Sequence, residues 1–192
     1  MSKNINKRLR IRSMAIISMC VAIIAVSSWI IVPFTVNFTL QTLAIFLISA
    51  VFGLKKSILA VLVYILIGIC GVPIFSGFGA GIAAIVGPTG GYIIGFIFIP
   101  FIMNVFIRRK FNKLILAVSM LIALLVCYLF GTTWYCLVYD SVSPVGFLSA
   151  ISICVIPFVI PDLLKILIAT LISARLKPII DKLNLNGGLY DW

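Results

Sequence analysis

The chain alternates long apolar runs with short clusters of basic residues, which is typical of a protein that crosses a membrane several times. An apolar run of about 20 residues is long enough to cross a bilayer core as a helix. The pattern predicts six spans within one integral membrane domain over residues 1–192, and their bounds are 13–31, 39–53, 57–71, 88–107, 114–133 and 148–175. The predicted fold is an all-α bundle of six transmembrane helices.

Basic residues predict which side each loop faces. Of the fifteen lysines and arginines, fourteen lie in the N-terminal arm, the predicted 2–3 and 4–5 loops, or the C-terminal end. Loops on the cytoplasmic side carry such an excess. We therefore expect both termini to be cytoplasmic. Because the net charge of +11 has this distribution, it does not predict a nucleic-acid partner.

The composition excludes several classes of protein. At 64% hydrophobic and 10% charged residues, a soluble domain of this length could not bury its apolar excess. The chain has no histidine, no glutamate and no metal-binding spacing among its five cysteines, so we expect no metal and no cofactor. It offers no convincing second catalytic group either, and we expect it not to be an enzyme.

Asp162 and Lys165 lie inside an apolar run, where an ionisable side chain usually has a function. Pro157 and Pro161 are expected to interrupt a helix there, and the helix would restart at Asp162. Lys165 would then lie beside unpaired backbone amides, which together form an anion site. The alternative is that Asp162 and Lys165, three residues apart on one helix face, only neutralise each other.

A glycine-rich stretch, residues 71–95, contains eight of the fourteen glycines and follows a short predicted span. Irregular backbone at membrane depth is tolerated where it lines a cavity, so we expect it to form a wall of the pocket. Asp162 lies thirteen residues before Arg175, about 20 Å along a helix, which places the pocket near the extracellular side. Its apolar walls are expected to come from Phe34, Phe38, Phe75, Phe78 and Tyr92.

Small residues form two helical stripes. Gly87, Gly91 and Gly95 are spaced by four, which predicts that the start of the fourth span packs closely against a neighbour. The first span carries Ala15, Ser18, Ala22 and Ala25 on one face. This second stripe predicts either a docking surface for a partner subunit or a contact inside the same bundle.

Four sequence blocks resemble the biotin-specific S component (BioY) of energy-coupling factor transporters. They are Thr39–Leu–Gln–Thr–Leu43, Gly68–Ile–Cys–Gly–Val–Pro–Ile–Phe75, Gly87–Pro–Thr–Gly–Gly–Tyr–Ile–Ile–Gly–Phe96 and Pro161–Asp–Leu–Leu–Lys165. Asn37 departs from the family, which tends to have proline there. The resemblance implies a six-helix bundle in a bacterial plasma membrane that binds biotin with high affinity. It also implies partner subunits, namely a transmembrane coupling subunit and two ATP-binding cassette ATPases.

The residues and the resemblance together predict the site. Lys165 is assigned to the carboxylate of biotin and Asp162 to the ureido N–H groups, and the docking surface for the coupling subunit to Ala15, Ser18, Ala22 and Ala25. Further substrate contacts are expected from Gln41, Tyr92, Phe75, Ser76, Gly77 and Gly91. Alternatives are an S component for another small carboxylate-bearing vitamin, and a stand-alone proton-coupled permease.

Overall fold

The structure is a computed structural model that describes residues 2–32, 38–108, 111–139 and 147–184. Predicted features at Phe34 and Asn37 lie outside these residues, as does the side chain of Phe38. The elements, in chain order, are α1 (Ser2–Trp29), β1 (Ile31–Val32), β2 (Phe38–Thr39), α2 (Gln41–Ile69), a 3₁₀ turn (Ser76–Phe78), α3 (Ile82–Val86), α4 (Gly90–Gly95), α5 (Phe98–Ile107), α6 (Lys113–Tyr139), α7 (Phe147–Cys154) and α8 (Ile156–Asn184). The two short strands pair antiparallel.

Five described stretches are long and apolar enough to cross a membrane: Ile11–Trp29, Gln41–Ile69, Gly90–Ile107, Lys113–Val138 and Ile156–Lys182. The sequence predicted six spans, and the difference is at α2. The predicted spans 39–53 and 57–71 join in one continuous helical element with no loop between them.

Helix α2 nevertheless folds back on itself at Gly53, where φ is 73° and ψ is −179°. The hydroxyl of Ser57 donates to Gly53 O at 2.6 Å and lies 3.1 Å from Ile48 O. In a straight helix, residues nine apart are separated by about 13 Å along the axis. The two halves, residues 41–52 and 54–69, are therefore antiparallel arms, and glycine permits the turn because it has no Cβ.

The fourth predicted span, residues 88–107, is divided into α4 and α5. Pro100 lies inside α5 and cannot donate a hydrogen bond to the preceding turn. Ile99 N bonds to Phe96 O, three residues back rather than four, which is the tighter 3₁₀ spacing. Proline thus explains the irregular junction.

The prediction that α8 starts at Asp162 is wrong, because α8 begins at Ile156 and contains Pro161. The first four amides of a helix need no intrahelical acceptor, so Pro157 is tolerated there. Pro161 then removes one further bond, the one to the carbonyl of Pro157. Asp162 and Lys165 consequently lie in the second and third turns, away from the free amides of the helix start.

The core forms around α2, which packs against α1, α5 and α8, while α6 packs against α4, α5, α7 and α8. Its fully buried side chains include Ile24, Phe46, Tyr64, Phe75, Ile99 and Met103. The outer faces are apolar too. On α8, an exposed stripe at helical spacing consists of Ile160, Leu163, Leu167 and Leu171. Such a broad apolar surface indicates a membrane environment.

The sequence left open whether the small residues of α1 form an exposed docking surface or a contact inside the bundle, and the structure shows both environments. Ala15, Ser18 and Ala22 are exposed. Ala25 is buried in the core of the bundle. The structure therefore contradicts a fully exposed docking stripe at Ala25, because that residue already packs inside the same chain.

Candidate functional site

Asp162 and Lys165 form an ion pair inside the bundle. Lys165 Nζ lies 2.7 Å from Asp162 Oδ1, and about 5% of each side chain is exposed. The ammonium also donates to Thr39 O at 2.6 Å and to Thr42 Oγ1 at 2.9 Å. The pair thus joins α8 to the start of α2.

Asp162 has a further partner on a third element. The hydroxyl of Tyr128, on α6, donates to Asp162 Oδ2. Thr42 Oγ1 lies 3.4 Å from Asp162 Oδ1. Charges buried in an apolar bundle are tolerated when such partners compensate for lost hydration. Three helices therefore converge on one polar cluster, consisting of Thr39, Thr42, Tyr128, Asp162 and Lys165.

This geometry includes the mutual neutralisation that the sequence left as an alternative. Lys165 does not face the free amides of a helix start, so the predicted anion site of that type is absent. The ammonium instead has Asp162, Thr39 and Thr42 as partners. An anion could replace the threonine contacts of Lys165 while the ion pair remains.

The polar cluster borders a cavity of about 140 Å³. This volume is well above what a single water molecule needs. Its other walls are mainly apolar and include Ile93, Phe96, Leu124 and Phe158. A mostly apolar cavity with a few converging polar groups is the usual form of a small-molecule site. The arrangement suits a ligand with a polar end and an apolar body.

Six of the eight predicted contact residues line this cavity: Gln41, Phe75, Ser76, Tyr92, Asp162 and Lys165. Gly77 does not line it, although it lies next to Ser76 with a positive φ of 67°. Gly91 faces α6, where an added Cβ would overlap Trp134. Neither glycine is among the residues that line the cavity; Gly77 forms part of a turn, and Gly91 makes a close helix contact.

The close packing predicted for the start of the fourth span is present at two of the three glycines. Gly91 and Gly95 contact Trp134 and Cys127 of α6. A Cβ on Gly131 of α6 would overlap Tyr92 in the same way. Glycines on both helices thus let α4 and α6 approach each other, and this contact positions Tyr92.

Phe78, predicted as a wall of the pocket, is instead 62% exposed. Its ring stacks on Trp29 with the ring centroids 5.4 Å apart. The indole N–H of Trp29 donates to Pro73 O. Phe78 therefore holds the segment around the 3₁₀ turn against α1 rather than facing the cavity.

Several cavity residues were missed by the sequence analysis. Thr39 and Thr42 belong to the block Thr39–Leu–Gln–Thr–Leu43, from which only Gln41 was chosen. Tyr128, Cys127 and Cys154 lie in apolar runs, and no local pattern marks them. No group of three or more histidine, cysteine or acidic residues that could hold a metal is found in the part of the chain that the structure describes.

Known proteins match most of the chain. The model of a family described as the BioY family matches residues 1–182. The probable biotin transporter BioY of Pyrococcus horikoshii is 36% identical, with 88% of this chain and 98% of that protein covered. The biotin transporter BioY of Thermotoga maritima is 37% identical, with 81% and 90% covered.

A solved structure is also similar. The S-component for biotin from an ECF-type ABC transporter superposes with a TM-score of 0.77, covering 88% of this chain and 92% of that one. The sequence identity is 23%, so this likeness concerns the fold.

Proposed function

Because this chain belongs to the BioY family, we propose that it is the biotin-binding membrane subunit of an energy-coupling factor transporter and serves biotin uptake. The observation that carries the assignment is the buried Asp162–Lys165 pair at the polar end of an apolar cavity. The family consists of transporters, and the chain is accordingly not an enzyme.

The chemistry of biotin matches the two parts of the cavity. Its ureido group has two N–H donors, its valerate ends in a carboxylate, and its fused rings are apolar. We assign Asp162 to the ureido N–H groups and Lys165 to the carboxylate. Gln41, Tyr92 and Ser76 line the same cavity and supply further polar contacts, while Phe75 contacts the apolar rings.

The two assignments are alternatives in this geometry, because the two side chains are 2.7 Å apart whereas the two ends of biotin are distant. One end of the ligand therefore binds at the ion pair and the other contacts polar groups elsewhere in the cavity. Lys165 is the stronger candidate to bind the carboxylate, since it would exchange its bonds to the neutral oxygens of Thr39 and Thr42 for a bond to an oppositely charged oxygen.

We propose six crossings rather than five, with both termini in the cytoplasm of a bacterial cell and the cavity near the extracellular side. The fold-back of α2 at Gly53 supports this topology, because each arm then crosses once. The basic clusters at Arg12, Lys55, Arg108 and Arg175 would then all lie on the inner side, in accord with the positive-inside rule.

Uptake against a gradient requires partner subunits, and we propose a transmembrane coupling subunit and two ATP-binding cassette ATPases. The exposed small residues Ala15, Ser18 and Ala22 of α1 are the proposed docking surface. Small residues let a partner helix approach closely in lipid.

Ligand identification tests the function. Protein purified in mild detergent is analysed by native mass spectrometry and by isothermal titration with biotin. We expect bound biotin and tight, saturable binding at one site. Binding of a different carboxylate-bearing vitamin would retain the transporter class and reject the substrate, and biotin uptake without any ATPase would reject the proposed assembly.

A further inference from the structure

Tyr64, on the second arm of α2, is fully buried and is not among the residues that line the cavity. Its hydroxyl lies 2.6 Å from Gln41 Nε2 and 2.9 Å from Ile74 O. Gln41 is on the opposite arm and does line the cavity. The buried hydroxyl of Tyr64 thus contacts Gln41, a residue of the cavity wall, without lining the cavity itself.

The direction of each hydrogen bond in this group follows from its chemistry. A backbone carbonyl can only accept, and Ile74 O accepts from two hydroxyls, that of Tyr64 at 2.9 Å and that of Ser28 at 2.5 Å, because a carbonyl oxygen has two acceptor positions. The phenol oxygen then accepts from Gln41 Nε2. On the other side of the amide, Thr39 Oγ1 donates to Gln41 Oε1 at 3.0 Å.

In this network the amide nitrogen of Gln41 faces Tyr64 and its oxygen faces Thr39. With the phenol hydrogen donated to Ile74 O, Tyr64 favours this orientation of the amide. Its nitrogen carries two hydrogens, and Tyr64 accepts one of them. The second N–H remains available to another acceptor.

We propose that Tyr64 is a positioning residue for substrate binding: it holds the Gln41 amide so that the second N–H is offered to an acceptor oxygen of the ligand. The proposal rests on biotin as the substrate. Biotin has acceptor oxygens at both ends, in the carboxylate and in the ureido carbonyl. An amide oriented before binding loses less entropy when the ligand arrives, and affinity rises accordingly.

Tyr64 has a second contact that an experiment must separate from the first. Its ring packs edge-on against Phe75, with centroids 5.5 Å apart, and Phe75 also lines the cavity. Loss of the Ile74 bond could likewise move the segment that carries Phe75 and Ser76. A double-mutant cycle with Gln41 distinguishes these routes.

The test measures biotin affinity by titration calorimetry for the wild type, Tyr64→Phe, Gln41→Met and the double variant. We expect Tyr64→Phe to weaken binding about three- to ten-fold, the range of one neutral hydrogen bond. In the Gln41→Met background the same substitution should have no further effect. Ser119→Ala, which removes a buried hydroxyl bonded within α6, is the matched control and should bind like the wild type.

Incorporation of 4-aminophenylalanine at position 64 provides a second variant that keeps the ring and the donor to Ile74. Its nitrogen is a poor acceptor for Gln41, so affinity should fall as in Tyr64→Phe. Titration with iminobiotin, which lacks the ureido oxygen, locates the contact: the Tyr64→Phe effect disappears if Gln41 donates to that oxygen and persists if it donates to the carboxylate.

Two results would overturn the proposal: unchanged affinity in Tyr64→Phe, or an equal loss in the Gln41→Met background. The second result would assign the effect to Phe75 and its segment. Failure of the wild-type protein to bind biotin would instead contradict the proposed function. Melting temperatures of all variants are measured in parallel to establish that they are folded.

Discussion

Tyr128 on α6 donates its hydroxyl hydrogen to Asp162 on α8, although 34 residues separate them in the chain. The bond links the long apolar helix α6 to the buried charges. A hydrogen bond to a charged group contributes about 1.5–3 kcal/mol. Its loss would leave Asp162 Oδ2 without that donor in a site shielded from water.

We therefore expect Tyr128→Phe to weaken biotin binding by about ten-fold or more, measured by titration calorimetry. The substitution keeps the ring, so packing against α8 is preserved. Tyr135→Phe is the control, because it removes a hydroxyl from the same helix two turns further on, outside the cavity. Equal affinity of Tyr128→Phe and the control would contradict a role for Tyr128 in the site.

Single substitutions in the Asp162–Lys165 ion pair should lower stability more than the double substitution does. Asp162→Asn or Lys165→Met alone leaves one charge buried without its partner, which costs about 3–5 kcal/mol of stability. The double variant removes both charges, so its melting temperature should recover towards that of the wild type. Biotin affinity should fall in all three variants.

Differential scanning fluorimetry and titration calorimetry on the same preparations check this pattern. Lys165→Arg keeps the charge but changes the geometry, and it serves as the conservative control. Wild-type affinity in the double variant would show that the pair has a structural role and no role in binding.

Close packing of α4 on α6 should fail when Gly91 acquires a side chain. Gly91→Leu would force the Leu side chain into Trp134, and overpacking typically costs about 1–3 kcal/mol. We expect a clearly lower melting temperature, and weaker biotin binding because Tyr92 is displaced. Val86→Leu, which enlarges an exposed side chain, should change neither quantity, and an unaltered melting temperature of Gly91→Leu would reject this contact.

Substitutions on the exposed face of α1 should reduce transport while leaving biotin binding nearly unchanged. Ala22→Trp, alone or with Ser18→Trp, adds bulk to the exposed small-residue face, which lies outside the cavity. We expect biotin affinity within a few-fold of the wild type, while uptake and co-purification of the coupling subunit decrease sharply. Ile23→Trp, an exposed position on the neighbouring face, is the control for bulk alone.

Uptake of labelled biotin in cells that carry the partner subunits provides the measurement. Full uptake by Ala22→Trp would show that the partner docks elsewhere. Loss of binding by the purified variant would show instead that bulk at position 22 disturbs the bundle itself.

The sequence by itself determined the class of molecule. Apolar runs too long for a soluble core and basic residues clustered between them predict membrane helices, because hydropathy and charge are local properties of a segment. The buried charges Asp162 and Lys165 and the cavity-lining residue Gln41 were identifiable for a related reason, since a polar side chain is recognisable within an apolar run.

The tertiary structure decided which of these residues meet. Tyr128 was missed because tyrosine is common in apolar helices, and its contact with Asp162 exists only where α6 and α8 pack together. The start of α8 was misjudged because local rules treat Pro161 as a break, whereas the loss of one hydrogen bond can be offset by the packing of the whole helix. The turn at Gly53 depends likewise on contacts between distant residues. Contacts of this kind join side chains that are remote in the chain, and no local pattern encodes them.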